Sequence, residues 1–409
     1  MHILIVTQYY WPEDFRINDL AIGLHEKGHD VTVLTGKPNY PGGSFFKGYG
    51  FFNKTNESCN GINIKRVPII PRGRGSALRL IINYFSFVFF GVLLGPILCK
   101  GKYDLIFVYE PSPVTVGIPA RFLGWFKKIP VIFWVQDLWP ESLVATGTTS
   151  NKYIINVVGK VVKWIYSGCE LILTQSRTFV ESVKKFGISD ERIQYYPNSA
   201  ENLYKPVKYE KETCEKLGLP DGFIVMFAGN IGVSQDFETI LEAAKLTKGI
   251  ENLHWVIIGD GRDFERVKRE VKRMGLENMF HLKGRHPVES MPEFFSCADV
   301  MLVSLKKEPI FSMTIPAKVQ SYMACAKPII ASLDGEGGQV VKESGAGLVV
   351  GAESPQELAN EVIAFKEMTA DAREQMGLQG FEYYNENFER NMLIEKLEKM
   401  MLSSVKGIS

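Results

Sequence analysis

Residues 2–36 read HILIVTQYYWPEDFRINDLAIGLHEKGHDVTVLTG, and residues 223–261 read FIVMFAGNIGVSQDFETILEAAKLTKGIENLHWVIIGDG. Each stretch opens on an apolar strand, passes through a loop of turn-forming and polar residues, forms an amphipathic helix and ends in a second apolar strand. Ile17, Leu20, Ala21 and Leu24 recur at helical spacing in the first stretch, as do Phe237, Ile240, Leu241 and Ala244 in the second. One apolar stripe therefore lies along each helix. Strand-helix-strand units build parallel sheets covered by helices on both faces. Two of them predict two doubly wound α/β domains facing across a cleft lined by the carboxyl ends of both sheets, where ligands of such sheets bind. A chain built this way is expected to join two substrates.

Composition agrees with two domains. The 409 residues are 45% hydrophobic and 23% charged, ordinary globular material too long for one compact core. Lysine plus arginine number 47 against 46 aspartates and glutamates, so no overall field selects nucleic acid or an acidic partner. Cys59, Cys99, Cys169, Cys214, Cys297 and Cys325 show no paired or metal-ligand spacing and read as buried thiols in a reducing compartment. Met1 runs directly into a strand, which predicts no secretory signal.

Residues 80–98, LIINYFSFVFFGVLLGPIL, carry no charge and have basic flanks at Arg79 and Lys100. Asn83, Ser86, Gly91, Gly95 and Pro96 interrupt the run, and a strand follows almost at once. A helix buried in an α/β domain or lying at an interface fits these residues, with a true membrane span as the alternative. Residues 151–170, NKYIINVVGKVVKWIYSGCE, set Lys152, Lys160, Lys163 and Trp164 beside an apolar face. That pattern suits a membrane surface, and equally a domain helix with a solvated lysine edge. After a further strand, helix and strand, Pro197 and Asn198 break the pattern. The sequence thus predicts a first domain over residues 1–200, a linker over 201–221, a second domain over 222–380 and a C-terminal helical segment over 381–409 packing back toward the first.

The order of FAGNIG, WVIIGDG, HLKGRHP, CADVMLVSL, IPAKVQSYMACAKPIIA, DGEGG and GAGLVV across the second half resembles glycosyltransferase family 4. QYYWPEDFRINDLA and FWVQDLWPES carry the likeness through the first half. Within the family, the chain resembles bacterial N-acetyl-L-fucosamine transferases and related enzymes of surface-polysaccharide assembly. The resemblance implies the B-type glycosyltransferase fold, two Rossmann-like domains with a sugar nucleotide on the second and the acceptor on the first.

A sugar nucleotide departs as a diphosphate, so its site must stabilise negative charge on the leaving oxygen. Where the family commonly supplies an arginine and a lysine, this chain has Asn230 and Gln235. Backbone N–H groups of the turn from Gly229 through Ile231 to Gly232 are expected to share that task. Ser312 and Thr314 precede a helix with Pro316 in its first turn, a setting that favours phosphate. Lys318 is then the foremost cation, followed by Arg262 and Arg285; each has the plainer alternative of a surface side chain. The family's paired glutamates are replaced by Met313 and Ser321, so Ser321 is left to bond a sugar hydroxyl and the pocket suits a deoxy sugar. Gly259 and Gly261 end a strand as cleft residues, and the loop before His286 is expected to read a pyrimidine base.

In the first domain, Gln136 and Asp137 stand at a strand end where family members often carry histidine and aspartate. Asp137 would orient the acceptor hydroxyl or steady charge on the sugar ring, and Gln136 would hold a donor hydroxyl; a capping aspartate and a structural glutamine are the alternatives. Glu110 is a reserve acceptor contact. Glu13 and Arg16 occupy the place of the family's usual glycine pair and are expected to meet acceptor or phosphate. No Asp-x-Asp sequence and no histidine cluster occur, so no metal or other cofactor is expected.

The sequence points to a metal-independent, retaining glycosyltransferase on the cytoplasmic face of the membrane. It would use a UDP amino- or deoxy-sugar and a polyprenyl-diphosphate-linked acceptor. A dinucleotide oxidoreductase is disfavoured because TQYYWPEDF contains no glycine. A nonhydrolysing sugar-nucleotide epimerase, a non-catalytic nucleotide-sugar-binding subunit and an integral membrane protein remain as alternatives.

Overall fold

A computed structural model describes residues 1–73, 77–145 and 147–406. They form two compact units, Met1–Pro197 with the described chain from Asn391 onward, and Asn198–Arg390.

The first unit is built on β1 (His2–Val6), β2 (Asp30–Gly36), β3 (Asn56–Cys59), β4 (Ile62–Val67), β5 (Leu105–Glu110), β6 (Val131–Val135), β7 (Leu171–Thr174) and β8 (Ile193–Tyr195). Their order is β3-β4-β2-β1-β5-β6-β7-β8, with only the β3–β4 pairing antiparallel. The inner strands β1, β5 and β6 are almost wholly buried, as expected of parallel strands covered on both faces. Helix Ile17–Glu26 seats Ile17, Leu20, Ala21 and Leu24 on this sheet.

Helix Ala77–Leu98 reverses the usual arrangement. Asn83, Ser86, Phe87, Gly91 and Gly95 face inward. Leu78, Ile81, Ile82, Phe85, Phe89, Leu93 and Ile97 are exposed. The inward polar groups are satisfied: Asn83 Nδ2 donates to the Ile70 carbonyl (2.6 Å), Asn83 Oδ1 accepts from Gln8 Nε2 (2.7 Å), and Ser86 Oγ accepts from Ile70 N–H (2.9 Å). Gly91 and Gly95 lie so close to Pro119 and Leu123 that added Cβ atoms would come within 2.9 and 3.2 Å. The residues that interrupt the apolar run are thus its packing face. Of the two readings, a helix buried in the domain or one lying at an interface, the buried one is corrected, because only 28% of its most apolar stretch is buried.

The second unit carries β9 (Phe223–Ala228), β10 (Leu253–Ile258), β11 (Phe280–Gly284), β12 (Val300–Ser304), β13 (Ile329–Ser332) and β14 (Gly347–Val350), all parallel, in the order β11-β10-β9-β12-β13-β14. Helix Phe237–Leu246 buries Phe237, Ile240, Leu241 and Ala244 against one face.

Three boundaries differ from the sequence reading. Residues 201–221 belong to the second unit, where Cys214 and Leu219 join its core. The segment 381–409 divides: helix Ala370–Asn387 lies in the second unit, whereas helix Arg390–Lys406 gives Leu393, Ile394, Leu397 and Met401 to the core of the first. Residues 407–409 lie outside the described residues. Nor are all six cysteines buried thiols. Cys214 and Cys297 form a disulfide, their Cα atoms 5.8 Å apart despite a sequence separation of 83, a proximity that spacing along the chain conceals. Cys59, on the edge strand β3, is only half-buried.

Candidate functional site

In each sheet the strand order reverses next to the first strand, between β1 and β5 and between β9 and β12. Ligands of open α/β sheets bind beyond the carboxyl ends of strands at such a point.

In the second unit, Gly229 follows β9, Gly259 follows β10, and residues 305–316 follow β12. Gly259 has φ +140° and an added Cβ would sit 1.9 Å from the Gly229 carbonyl oxygen; one on Gly261 would sit 2.1 Å from that of Ile231. These glycines let two loops stack backbone on backbone. The stacking corrects the expected anion-binding turn: Gly229 N–H donates to the Ile258 carbonyl, Ile231 N–H to the Asp260 carbonyl, each at 2.9 Å, and Gly232 N–H to Gln235 Oε1 at 3.2 Å. Ile231 is also fully buried, so its side chain belongs to the core. Gln235 Oε1 additionally accepts from Asn230 Nδ2 at 3.3 Å, closing the loop. Gln235 thus serves as a clasp where the family commonly has a cation.

The hydroxyls turn inward as well. Ser312 Oγ donates to the Pro309 carbonyl (2.8 Å), Thr314 Oγ1 to that of Ile310 (3.0 Å), and the buried Ser321 Oγ to that of Ala317 (3.2 Å). Ser321 is therefore turned back on its own helix rather than offered to a sugar. Gly335 packs so tightly that a Cβ there would meet the Ser312 carbonyl at 1.9 Å, so the DGEGG stretch props the loop before helix Ala317–Ala324. Arg262 and Arg285 are exposed at the rim.

Lys318 stands apart. Its Nζ lies 3.4 Å from the centroid of the buried Phe227 ring, and a Cβ on Gly229 would come within 2.6 Å of its Cε. Among the described residues no carboxylate pairs with it. Burial holds the ammonium well below the ordinary lysine range, because desolvation disfavours the charged form. Lys318 thus stands desolvated at the switch point of the second sheet, without a carboxylate beside it among the described residues.

In the first unit, Glu13 is buried, with Oε1 accepting from the N–H groups of Asn39 (2.8 Å) and Tyr40 (2.7 Å) and Oε2 from that of Tyr10 (3.3 Å). It ties two loops together and does not reach outward, which corrects its assignment to the acceptor. Burial pushes its carboxyl up to about 7 against those three bonds. Arg16 is half-buried just before helix Ile17–Glu26. Glu110 is also corrected as an acceptor contact, being fully buried with Oε2 accepting from the N–H groups of Gln136 (3.3 Å) and Asp137 (3.2 Å). Asp137 is half-buried, accepts from Ser142 Oγ and Ser112, and is pushed up to about 6 by burial. Gln136 is half-buried beside it.

The sequence reading missed an aromatic group beyond β1. Tyr9 stacks on Phe15 with centroids 5.2 Å apart, Tyr40 lies 5.3 Å from Phe15, and the Arg72 guanidinium sits 4.9 Å from the Tyr40 ring. These residues come from three separate stretches, the loop after β1, the segment after β2 and the segment before helix Ala77–Leu98, and no local pattern links them. Ser112, which touches Asp137, was missed for the same reason.

Residues 15–199 match the glycosyl transferase 4-like domain and residues 210–382 match glycosyl transferases group 1. With two doubly wound sheets, these matches define an enzyme that transfers sugars. The chain belongs to the glycosyltransferases of the B-type fold. It is 23% identical over 79% of its length to a putative colanic acid biosynthesis glycosyl transferase of Escherichia coli, WcaI, covering 81% of that protein. A probable glycosyltransferase of Pseudomonas aeruginosa, WbjE, is 26% identical over 58% of the chain and 60% of its own length. The crystal structure of Anabaena HepE in complex with UDP and glucose superimposes with a TM-score of 0.71 at 16% identity, covering 98% of this chain and all of that one.

Proposed function

We propose that this glycosyltransferase moves a sugar from a UDP-linked amino- or deoxy-sugar, such as UDP-N-acetyl-L-fucosamine, to a polyprenyl-diphosphate-linked saccharide in cell-surface polysaccharide assembly. The observation that carries the donor half is Lys318, a desolvated lysine with no carboxylate partner among the described residues, at the switch point of the second sheet. A leaving diphosphate supplies the charge that it lacks. In the transfer, the acceptor oxygen bonds the anomeric carbon as the bond to the diphosphate breaks. The electron pair goes to the leaving oxygen and the acceptor proton follows to that phosphate, with retention at the anomeric centre. Asp137 steadies the positive charge on the ring. The UDP seen in Anabaena HepE supports uracil as the base, and Met313 and Ser321 in place of glutamates support a sugar with fewer hydroxyls to hold.

A peripheral location at the cytoplasmic face of the membrane is supported by one surface of the first unit. The outward face of helix Ala77–Leu98 adjoins Phe51 and the exposed Phe52 through a Phe51–Phe90 contact. It packs on helix Gly117–Lys127, which exposes Trp125 and Phe126. That helix in turn meets helix Lys152–Ser167 where the Arg121 guanidinium lies 4.2 Å from the Trp164 ring. Apolar burial with lysines at the edge favours anionic lipid.

Isothermal titration with a panel of UDP-, GDP- and dTDP-sugars, followed by turnover on a lipid-linked acceptor, tests the donor. A UDP-sugar should bind and be consumed; binding without consumption would favour a non-catalytic subunit. Flotation with acidic and neutral vesicles, with protease protection, tests the surface. Tighter binding to acidic vesicles without a protected fragment is expected, whereas a protected fragment over residues 80–98 would mean a span.

A further inference from the structure

The carboxyl ends of β5 and β6 hold a polar cluster. Glu110, the last residue of β5, presents Oε2 to two successive N–H groups at the end of β6, while the Gln136 N–H also lies 3.2 Å from the Glu110 carbonyl. Glu110 Oε1 has no hydrogen-bond partner among the described residues. Facing this carboxyl are Asp137 itself, Tyr84 from helix Ala77–Leu98 and Tyr166 from helix Lys152–Ser167. Glu141 also faces Asp137 and Tyr166, and Arg72 faces Tyr84.

We propose that Glu110 is a positioning residue: by accepting both N–H groups on one oxygen it fixes the turn that carries Asp137, and so sets where the Asp137 carboxylate stands during transfer. This rests on the reading of Asp137 as the carboxylate that steadies the transferring sugar. Geometry gives the claim its footing, since two backbone bonds converge on one buried oxygen at the residue pair concerned. Charge gives it sense. Burial, with Asp137 adding repulsion, raises Glu110 well above the usual carboxylate range and so favours its neutral form. Neighbouring acids whose environments separate their proton affinities divide the work in this way. A neutral carboxyl still accepts two N–H groups, and glutamine is its nearest isostere.

Glu110→Gln and Glu110→Asp test the proposal, with thermal melts confirming folding. Kinetics at saturating UDP-sugar are paired with an NMR titration of ¹³C-labelled carboxyls, which needs no turnover. Glu110→Gln should keep kcat and leave Asp137 titrating near about 6. Glu110→Asp withdraws the accepting oxygen by one methylene. It should lower kcat by about 10²-fold with donor KM unchanged, the scale of a misplaced reacting group, and should displace the Asp137 midpoint. Wild-type kcat and an unmoved midpoint in Glu110→Asp would overturn the proposal. So would a drop of the Asp137 midpoint in Glu110→Gln, which would mean an ionised neighbour had been removed. If the unsubstituted chain consumes no sugar nucleotide, the proposed function fails, while the Asp137 titrations still decide whether Glu110 positions that turn.

Discussion

Replacing Lys318 with methionine separates what the cation does for a ligand from what it does for the fold. The side chain lies over Phe227 and against Gly229 without a carboxylate partner among the described residues. An unbranched apolar chain fills the same space without a desolvated ammonium, so the melting temperature should not fall. The pH dependence has a definite sign. Lys318 holds its proton less tightly folded than unfolded, so its unfavourable contribution is present at neutral pH and is relieved as pH rises toward the unfolded lysine value of about 10.4. Lys318→Met should lack that rise in stability. Binding behaves oppositely. A charge-assisted bond to phosphate contributes about 1.5–3 kcal/mol, so the substitution should weaken UDP affinity by about 10- to 150-fold. Because a bound diphosphate favours the ammonium, wild-type binding should take up a proton. Titration calorimetry with UDP in two buffers of different ionisation enthalpy measures affinity and proton uptake together. Equal affinity and equal proton uptake in the two proteins would refute the reasoning.

Asp137→Asn should depress turnover far more than donor affinity, and the wild-type rate should rise with pH through about 6 as the carboxylate forms; a flat wild-type profile would count against that role. Glu13, held at about 7 by burial, binds its proton more tightly folded than unfolded. Its contribution to stability is full below the unfolded value and is lost as pH rises through about 7, a change of about 3 kcal/mol. Denaturant melts of Glu13→Gln should show a flatter profile between about pH 4 and 7. The disulfide closes a separation of 83 residues, for which chain entropy gives up to about 4.5 kcal/mol. Cys214→Ser should therefore lower the denaturation midpoint, and an unchanged midpoint would deny the link.

The repeated strand-helix-strand openings made the fold legible, because period and burial agree at Ile17, Leu20, Phe237 and Ile240. Helix Ala77–Leu98 was legible in extent but inverted in meaning: hydropathy counts residues without saying which face meets the sheet. Asn83 turned inward because Ile70 and Gln8 offer it partners. In the second unit, Gly259 and Gly261 were read as cleft residues, whereas in the fold they let backbones touch, a relation between distant loops. Glu13 and Glu110 read as outward acids because residue type says nothing of burial. Their backbone partners at Asn39, Tyr40, Gln136 and Asp137 become visible only in three dimensions.

The central claim is that this chain transfers a sugar rather than only holding a nucleotide. Mass spectrometry of a polyprenyl-diphosphate-linked acceptor, incubated with the full-length protein and a UDP-sugar, tests it most directly. The acceptor should gain the mass of one sugar as free UDP accumulates in equal amount, and Asp137→Asn should suppress both. UDP-sugar that binds, remains intact and leaves the acceptor mass unchanged across the donor panel would contradict the account.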